Sequence, residues 1–241
     1  MFINDKIYNE SFNLFLKNTD EKEIIKNFIN KTVFLDKNSK LLDIGGGNGA
    51  LIKDLCDKVG ITFIVEPNKL LAAQIVKEKN IKIINKKWED AQLNDCFDFI
   101  LAAYVVTYFP KELLSDLIAK MYNHLLPGGK IMILSVDAKK GSWREIHTYF
   151  YDLMGMKHKS SDETLEEIIK KYRYLKKTFR THVYADSAIQ MLKILEFDFH
   201  RHPAQFMKYG KELTSFLDKR INRDGRIVLD MVHNAYIIYK N

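Results

Sequence analysis

The sequence predicts an α/β fold built on a mostly parallel sheet with helices on both faces. Two observations carry this. Short apolar runs at 41–44, 62–65, 81–84, 97–102 and 130–136 alternate with helical stretches, and such alternation belongs to parallel sheets. The first run, "LLDI", passes straight into Gly45, Gly46, Gly47 and Gly49 and then into an amphipathic stretch. Glycine is costly to order, so a strand–glycine–helix junction implies that something must approach the backbone closely.

The elements follow in order. Residues 7–31 carry Phe12, Phe15, Leu16, Ile24, Ile25, Phe28 and Ile29 at helical spacing. A buried strand covers 41–44, and Leu51, Ile52 and Leu55 form one face of the helix after the glycines. The second strand is 62–65, and Asn68 is placed to cap a helix "KLLAAQIVKEK". The third and fourth strands are 81–84 and 97–102; a helix over 111–126 is stopped by "PGG" before the fifth strand at 130–136. The alternation then ends. Residues 143–180 predict two helical stretches, one opening at "SSDE" with Ser160 and Glu163 as a capping box. A helix is expected over 186–196, and strands at "EFDFHRH" and "RIVLDMVHNAYIIYK". The expected organisation is a single domain, 1–241: an N-terminal helical lid (1–35), a core (36–141), a helical insertion (142–185), and a C-terminal helix with strands (186–241).

Composition narrows the class. With 46% apolar and 12% aromatic residues the chain can bury a core, and 4 prolines and 11 glycines exclude collagen-like or disordered classes. The start, "MFINDKIYNESF", lacks a secretory pattern. The longest apolar run, 99–109, falls short of the roughly 20 residues a membrane helix needs. Cys56 and Cys96 have neither metal nor redox spacing. These features lead us to expect a cytoplasmic protein with no metal and no membrane partner. The net charge of +7 admits nucleic acid as a partner, but lysines spread over nearly every predicted element, as on an ordinary solvated surface.

The glycine cluster reads in two ways. Gly45-x-Gly47-x-x-Ala50 fits a dinucleotide fingerprint. Asp43 followed by Gly45-x-Gly47-x-Gly49 fits a loop for S-adenosylmethionine (SAM). Glu66, ending the second strand, can accept hydrogen bonds from the ribose hydroxyls of either cofactor. Further features separate the two readings. The "VEP" ending, the cluster Trp88-Glu89-Asp90 and "HLLPGGKIMI" resemble class I SAM-dependent methyltransferases. The resemblance implies a Rossmann-like fold: a mostly parallel seven-stranded sheet with an antiparallel C-terminal strand, here 227–239, and helical lid additions. It implies SAM as cofactor, with Asp43, Gly45, Gly46, Gly47, Asn48 and Gly49 against its methionine part and sugar. Glu66 and Pro67 would meet the ribose, Trp88 and Glu89 the adenine, and Ala103 and Tyr104 would close the cofactor side after the fourth strand.

The flanks extend this. "YNESFNLFLKNTDEKEIIKNFI", the tyrosine-rich segment after the fourth strand and Gly-Ser-Trp after the fifth resemble histamine N-methyltransferases. That likeness implies an acceptor site of Glu21, Tyr104, Tyr108, Trp143 and His147. Tyr104 stands where that family has glutamine and His147 where it has tryptophan; Val232, His233 and Asn234 lie near its substrate asparagine. Phe150 is a further candidate wall. His147, His182 and His233 are candidate bases by type. Each aromatic also reads as core packing, and Glu21 as a first-turn helix residue.

The expected function is methyl transfer from SAM to a nitrogen or oxygen of a small molecule, such as an imidazole or biogenic amine, by a monomer or weak homodimer. One alternative is an RNA methyltransferase using the basic and aromatic stretch "IIKKYRYLKKTFR", which also reads as a solvated helix face. No Asp/Asn-Pro-Pro-Tyr/Phe follows the fourth strand, where "AAYVVTYF" stands. The other alternative is a SAM-binding protein without turnover.

Overall fold

The β-branched runs pair as strands in a computed structural model that describes residues 5–157 and 161–241. The strands are β1 (Lys40–Ile44), β2 (Ile61–Val65), β3 (Ile81–Ile84), β4 (Phe97–Ala103), β5 (Leu125–Val136), β6 (Tyr174–Ala185) and β7 (Ile227–Tyr239). Among the described residues they form one sheet in the order β3-β2-β1-β4-β5-β7-β6. The pairs β1–β2, β1–β4, β2–β3 and β4–β5 are parallel, and β7 runs antiparallel to β5, with Val136 opposite His233. This is the expected Rossmann-like methyltransferase sheet.

The helices are α1 (Asp5–Lys17), α2 (Glu21–Thr32), α3 (Lys53–Cys56), α4 (Lys69–Ala72), α5 (Leu114–Asn123), α6 (Ser142–Leu153), α7 (Ser161–Ile169), α8 (Ala188–Leu195), α9 (Pro203–Lys208) and α10 (Gly210–Asp218). Contacts divide the chain into two compact units. The first comprises 1–24, 137–159 and 179–232; the second comprises 25–136, 160–178 and 233–241. The core of the second unit is built on inward residues of its strands, such as Leu42, Ile100, Ile131 and Ile133. Ile118 and Met121 of α5 and Leu165 and Ile169 of α7 pack against them. In the first unit α1 packs on α8, and α10 on α6, α8 and α9. Aromatic rings fill the space between: Phe15 lies 5.9 Å from Trp143 and 5.0 Å from Phe197.

Several expectations are corrected. The helix predicted over 7–31 is two helices. Thr19 breaks it, its Oγ1 accepting the Glu21 N–H at 3.1 Å and so capping α2. Asn68 does cap α4, accepting from the N–H groups of Leu70 (2.9 Å) and Leu71 (3.2 Å). That helix nevertheless spans only Lys69–Ala72, and Ile75 beyond it packs at the glycine loop, where a Cβ on Gly49 would lie 3.5 Å from it. The helix after the glycines is also only α3. The helix expected to reach 126 stops at Asn123. "LLPGG" belongs to β5, whose register against β4 shifts between Phe97 and Phe99. Ser160 of the expected capping box lies outside the described residues.

The largest correction is β6, expected as part of a helical insertion. Its alternation puts Thr181, Val183 and Ala185 inside, while Arg180 and Tyr184 are exposed. The Tyr239 N–H donates to Arg173 O at 3.0 Å, and Thr178 meets Asn234 at 3.1 Å. The two strands therefore run in opposite directions, giving a second antiparallel strand. "EFDFHRH" is not a strand. Phe199 is buried against Phe150 (4.5 Å) and Phe206 (5.3 Å), and Pro203 at the first helical position opens the unforeseen α9.

Candidate functional site

The strand order reverses between β1 and β4, and ligands in such sheets bind outside the carboxyl ends of the strands at this switch point. The glycine loop leaves β1 there. Gly45, Gly47 and Gly49 have φ of +71°, +57° and +73°, which side chains tolerate poorly. A Cβ on Gly46 would lie 2.5 Å from Ile64 Cγ2 and 2.7 Å from Asp43 Oδ2, so this residue is fixed by crowding underneath. A Cβ on Gly47 would meet nothing within 4 Å. The loop thus packs tightly on its inner side and presents bare backbone to open space at Gly47.

Glu66 ties this loop to the end of β2. Its Oε2 accepts the Gly47 N–H at 2.8 Å and its Oε1 the Asn68 N–H at 2.7 Å. An ionised carboxylate has about four acceptor positions, so two remain for sugar hydroxyls. Burial raises the pKa of Glu66, while the two N–H groups oppose the shift. Asp43, also buried, is pushed up to about 7 by burial and by the Glu66 charge. Asn85, which the sequence reading missed, donates to Glu66 O (2.7 Å) and Pro67 O (3.1 Å) and fixes the chain after β2. Asn48 Oδ1 accepts the Ala50 N–H at 3.2 Å, a local turn bond. Pro67 is exposed.

Trp88 lies deep in the core of the second unit, with its indole N–H on Leu117 O at 3.2 Å. Lys120 sits 4.4 Å from the Trp88 ring centroid and donates to the carbonyls of Trp88 (2.7 Å) and Ala91 (2.6 Å). Burial lowers its pKa, with Asp90 and Glu89 opposing. Glu89 is half-buried beside Trp88.

At the end of β4, Ala103 is half-buried and Tyr104 has φ +59°, the one positive value for a non-glycine among the described residues. Its phenol oxygen lies 2.8 Å from His233 Nδ1. The next residue, Val105, packs on the glycine loop: a Cβ on Gly45 would lie 2.6 Å from its Cγ2. Tyr108 closes the following 3-10 turn and is exposed. Asn234, the next residue along β7 and opposite Ser135, has its side chain on the other face of the sheet from that of His233. Its amide donates to Asp162 at 3.0 Å, in a buried cluster where Asp162 also accepts from Ser135 and from Tyr236 (2.9 Å).

Glu21, Trp143 and His147 belong to the first unit. Glu21 is the first residue of α2 and is buried. Trp143 Nε1 donates to Asp198 Oδ2 at 2.9 Å, and His147 Nε2 lies 2.5 Å from the same oxygen. Burial pushes the Asp198 pKa up, but the His147 charge and the two hydrogen bonds outweigh it and leave the carboxyl below its usual range. Phe150 is fully buried against Phe199. Gly-Ser-Trp has a structural use: Gly141 at φ +92° lets Ser142 exchange hydrogen bonds with Asp230, giving at 2.6 Å and receiving at 2.8 Å. His182 pairs with Asp20 at 2.9 Å.

The family model of a methyltransferase domain matches residues 18–191. The chain belongs to this methyltransferase family. Over 103 residues it is 33% identical to ribosomal RNA small subunit methyltransferase A of Mycoplasmopsis synoviae (strain 53), a match spanning 41% of the chain and 39% of that enzyme. The YcgJ protein of Bacillus subtilis shares the fold at TM-score 0.64 and 15% identity, over 91% of this methyltransferase and 99% of that chain. N-methyltransferase NodS from Bradyrhizobium japonicum WM9, in complex with S-adenosylhomocysteine, aligns at TM-score 0.50 and 13% identity, over 89% and 85% of the two chains.

SAM is the cofactor of this family's chemistry, and the loop fits it: bare backbone at Gly47 and a carboxylate with remaining acceptor capacity stand side by side. Among the described residues no helix is long and apolar enough to cross a membrane. Nor, among them, does any group of three or more His, Cys, Asp or Glu suit a metal ion.

Proposed function

We propose that this methyltransferase acts on a nitrogen or oxygen of a small molecule. The observation that carries the reading is the bridge from Gly47 to Glu66 at the switch point, with Tyr104 at the neighbouring strand end. The loop from Asp43 through Asn48 to Gly49 receives the amino-acid and sugar part of SAM, Glu66 holds the ribose, and Glu89 and Ala103 border the cofactor. When bound, SAM supplies a methyl group made electrophilic by its sulfonium. The chain's own task is then alignment and exclusion of water. The likeness of the flanks to histamine N-methyltransferases supports an imidazole or biogenic amine as acceptor, with Tyr104 and Tyr108 the acceptor-side residues of the second unit.

The basic stretch 168–180 argues against RNA, because its side chains are already engaged. Lys170 pairs with Glu167 (2.7 Å), Lys171 bonds Ser115 (3.1 Å), Lys176 pairs with Glu166 (2.8 Å) and Arg180 with Asp230. Arg173 lies over the Tyr239 ring (5.6 Å) and Lys177 over Phe28 (6.0 Å). Tyr172 packs against Tyr122, with ring centroids 4.8 Å apart and the planes tilted by 34°. The test is incubation with SAM and a panel of imidazoles, amines, phenols and total RNA, scored by mass for S-adenosylhomocysteine and a methylated product. A methylated small molecule supports the proposal. Methylated RNA alone, or no turnover despite SAM binding, overturns it.

A further inference from the structure

In SAM the ribose joins the methionine part to the base. With the glycine loop after β1 and Glu66 after β2, the order methionine, ribose, base runs across the sheet toward β3, the other neighbour of β2. The chain leaving β3 therefore stands on the base side. Its start is tied to the ribose side: Asn85 donates to Glu66 O and Pro67 O, and the Glu66 N–H donates to Ile84 O at 3.0 Å. Residues 87–91 then make a single turn, with the Asp90 and Ala91 N–H groups on Lys87 O at 3.1 and 3.0 Å. A turn that no further turn follows leaves its last carbonyls without helical partners.

Lys120 of α5 supplies those partners. Its ammonium donates to Trp88 O at 2.7 Å, to Ala91 O at 2.6 Å and to Glu89 O at 3.4 Å. An ammonium only donates and a carbonyl only accepts, so its three protons are all spent on this one turn. Leu117, three positions before, takes the Trp88 indole N–H on its carbonyl, and His124, four positions after, meets Asp95 O through Nδ1 at 2.9 Å. One face of α5 therefore holds the connection from β3 to β4. On its outer side packing does not hold it. Residues 89–94, Lys120 and His124 line a hollow of about 620 Å³, and Asp90, Gln92 and Asn94 are exposed. Without the ammonium the turn has space to move into.

We propose that Lys120 positions this turn to receive the base of SAM and so sets the preference for a 6-aminopurine. Glu89, within the turn, brings a carboxylate, which accepts from a 6-amino group and repels a 6-oxo group. Lys120 acts through the turn and is a positioning residue. The inference rests on the cofactor placement proposed above and adds the residue on which its base end depends.

The test needs no knowledge of the methyl acceptor. S-adenosylhomocysteine and S-inosylhomocysteine, which has a 6-oxo group in place of the 6-amino group, are titrated calorimetrically into the whole chain. The unaltered protein should prefer S-adenosylhomocysteine about tenfold or more, as a hydrogen bond to a charged group gained or lost implies. Lys120→Met keeps the apolar stem and removes the ammonium. It should lose about fivefold or more in S-adenosylhomocysteine affinity and bind S-inosylhomocysteine within about twofold of the unaltered protein. A purely structural lysine would weaken both ligands alike. Equal losses for the two ligands, or no loss, in Lys120→Met overturn the inference, as does an unaltered protein that binds both equally well; SAM binding itself stands in each case. Should Lys120→Met fail to fold, nitrogen NMR of the unaltered protein decides. The Lys120 ammonium signal should shift with S-adenosylhomocysteine and stay in place with S-inosylhomocysteine; no shift, or the same shift with both, overturns the inference. Failure of the unaltered protein to bind S-adenosylhomocysteine overturns the cofactor placement as well.

Discussion

The Glu66 carboxylate and the Gly47 N–H are joined at 2.8 Å, so the acid that ends β2 also fixes the crest of the loop that follows β1. Its other oxygen is on the Asn68 N–H at 2.7 Å. Glutamine cannot reproduce this, because its amide has one acceptor oxygen and would set an NH2 against one of the two N–H groups. Glu66→Gln is therefore expected to be nearly as damaging as Glu66→Ala. A hydrogen bond to a charged group contributes about 1.5–3 kcal/mol, and about 1.4 kcal/mol is tenfold in affinity. Calorimetry should show SAM binding at least tenfold weaker in both variants, and binding equal to wild type in either would remove Glu66 from the site.

Gly46 and Gly47 are adjacent but separable. Alanine at Gly46 forces a Cβ to within 2.5 Å of Ile64 Cγ2, in a fully buried position beneath the loop. Gly46→Ala should destabilise the fold by roughly 1–3 kcal/mol, the usual cost of overpacking. Alanine at Gly47 meets no neighbour and bears only the strain of φ +57°, on the order of 1 kcal/mol. Its methyl group would occupy the space offered to the cofactor. Gly47→Ala should thus leave thermal unfolding within a few degrees of wild type and still weaken SAM binding tenfold or more. Undiminished SAM affinity in Gly47→Ala would show that the ligand does not approach there.

How much of this was legible depended on how local the signal is. The glycines after β1, Glu66 after β2 and Asn68 as the cap of α4 each read from a short local stretch, and the structure has them at those places along the chain, whereas the bond from Glu66 to Gly47 spans 19 positions and was not read from the sequence. The strand β6 was hidden because "YLKKTFR" supplies both a basic helical face and an alternating edge strand. Lysines on an edge are the usual guard against further pairing. Tyr104 and His233 are 129 residues apart, and nothing near either names the other. Asp198 was missed because "EFDFHRH" reads as alternation, whereas its carboxylate collects Trp143 and His147 from one face of α6. The Gly-Ser-Trp motif was legible as a pattern, but its use, a hydrogen-bond exchange with Asp230, needed the strand placement.

Asp43 should make the protein less stable as pH rises. Its carboxyl titrates at about 7 in the folded chain against a reference of 3.8, raised by burial and by Glu66. Between those values the folded state keeps a proton that the unfolded state has released, so unfolding free energy falls with rising pH. Integrated over the interval, the effect is at most on the order of 4 kcal/mol, since one pKa unit is about 1.4 kcal/mol. Asp43→Asn removes the titration. Urea unfolding without SAM should show a shallower decline from pH 5 to 8 in the variant, which should be the more stable of the two at pH 8. Parallel curves would mean that Asp43 is ionised without penalty.

Asp198 carries the opposite sign. Its folded pKa lies below the ordinary carboxylate value because the opposing effect of burial is outweighed by the His147 charge and the hydrogen bonds from His147 and Trp143. A depressed carboxyl contributes stability above its unfolded pKa and loses it as pH falls through the folded one. Its side chain is 31% exposed, so solvent screens part of this contribution. Asp198→Asn should lower the melting temperature by a few degrees at neutral pH, and that difference should vanish below the usual carboxylate range. Trp143→Phe keeps the ring's packing against Phe15 and Phe197 but removes the indole donor. It should cost less than Asp198→Asn, because His147 remains on the same oxygen. If Trp143→Phe proved the costlier change, the carboxylate cluster would not be what orders α6, and packing of the indole would be.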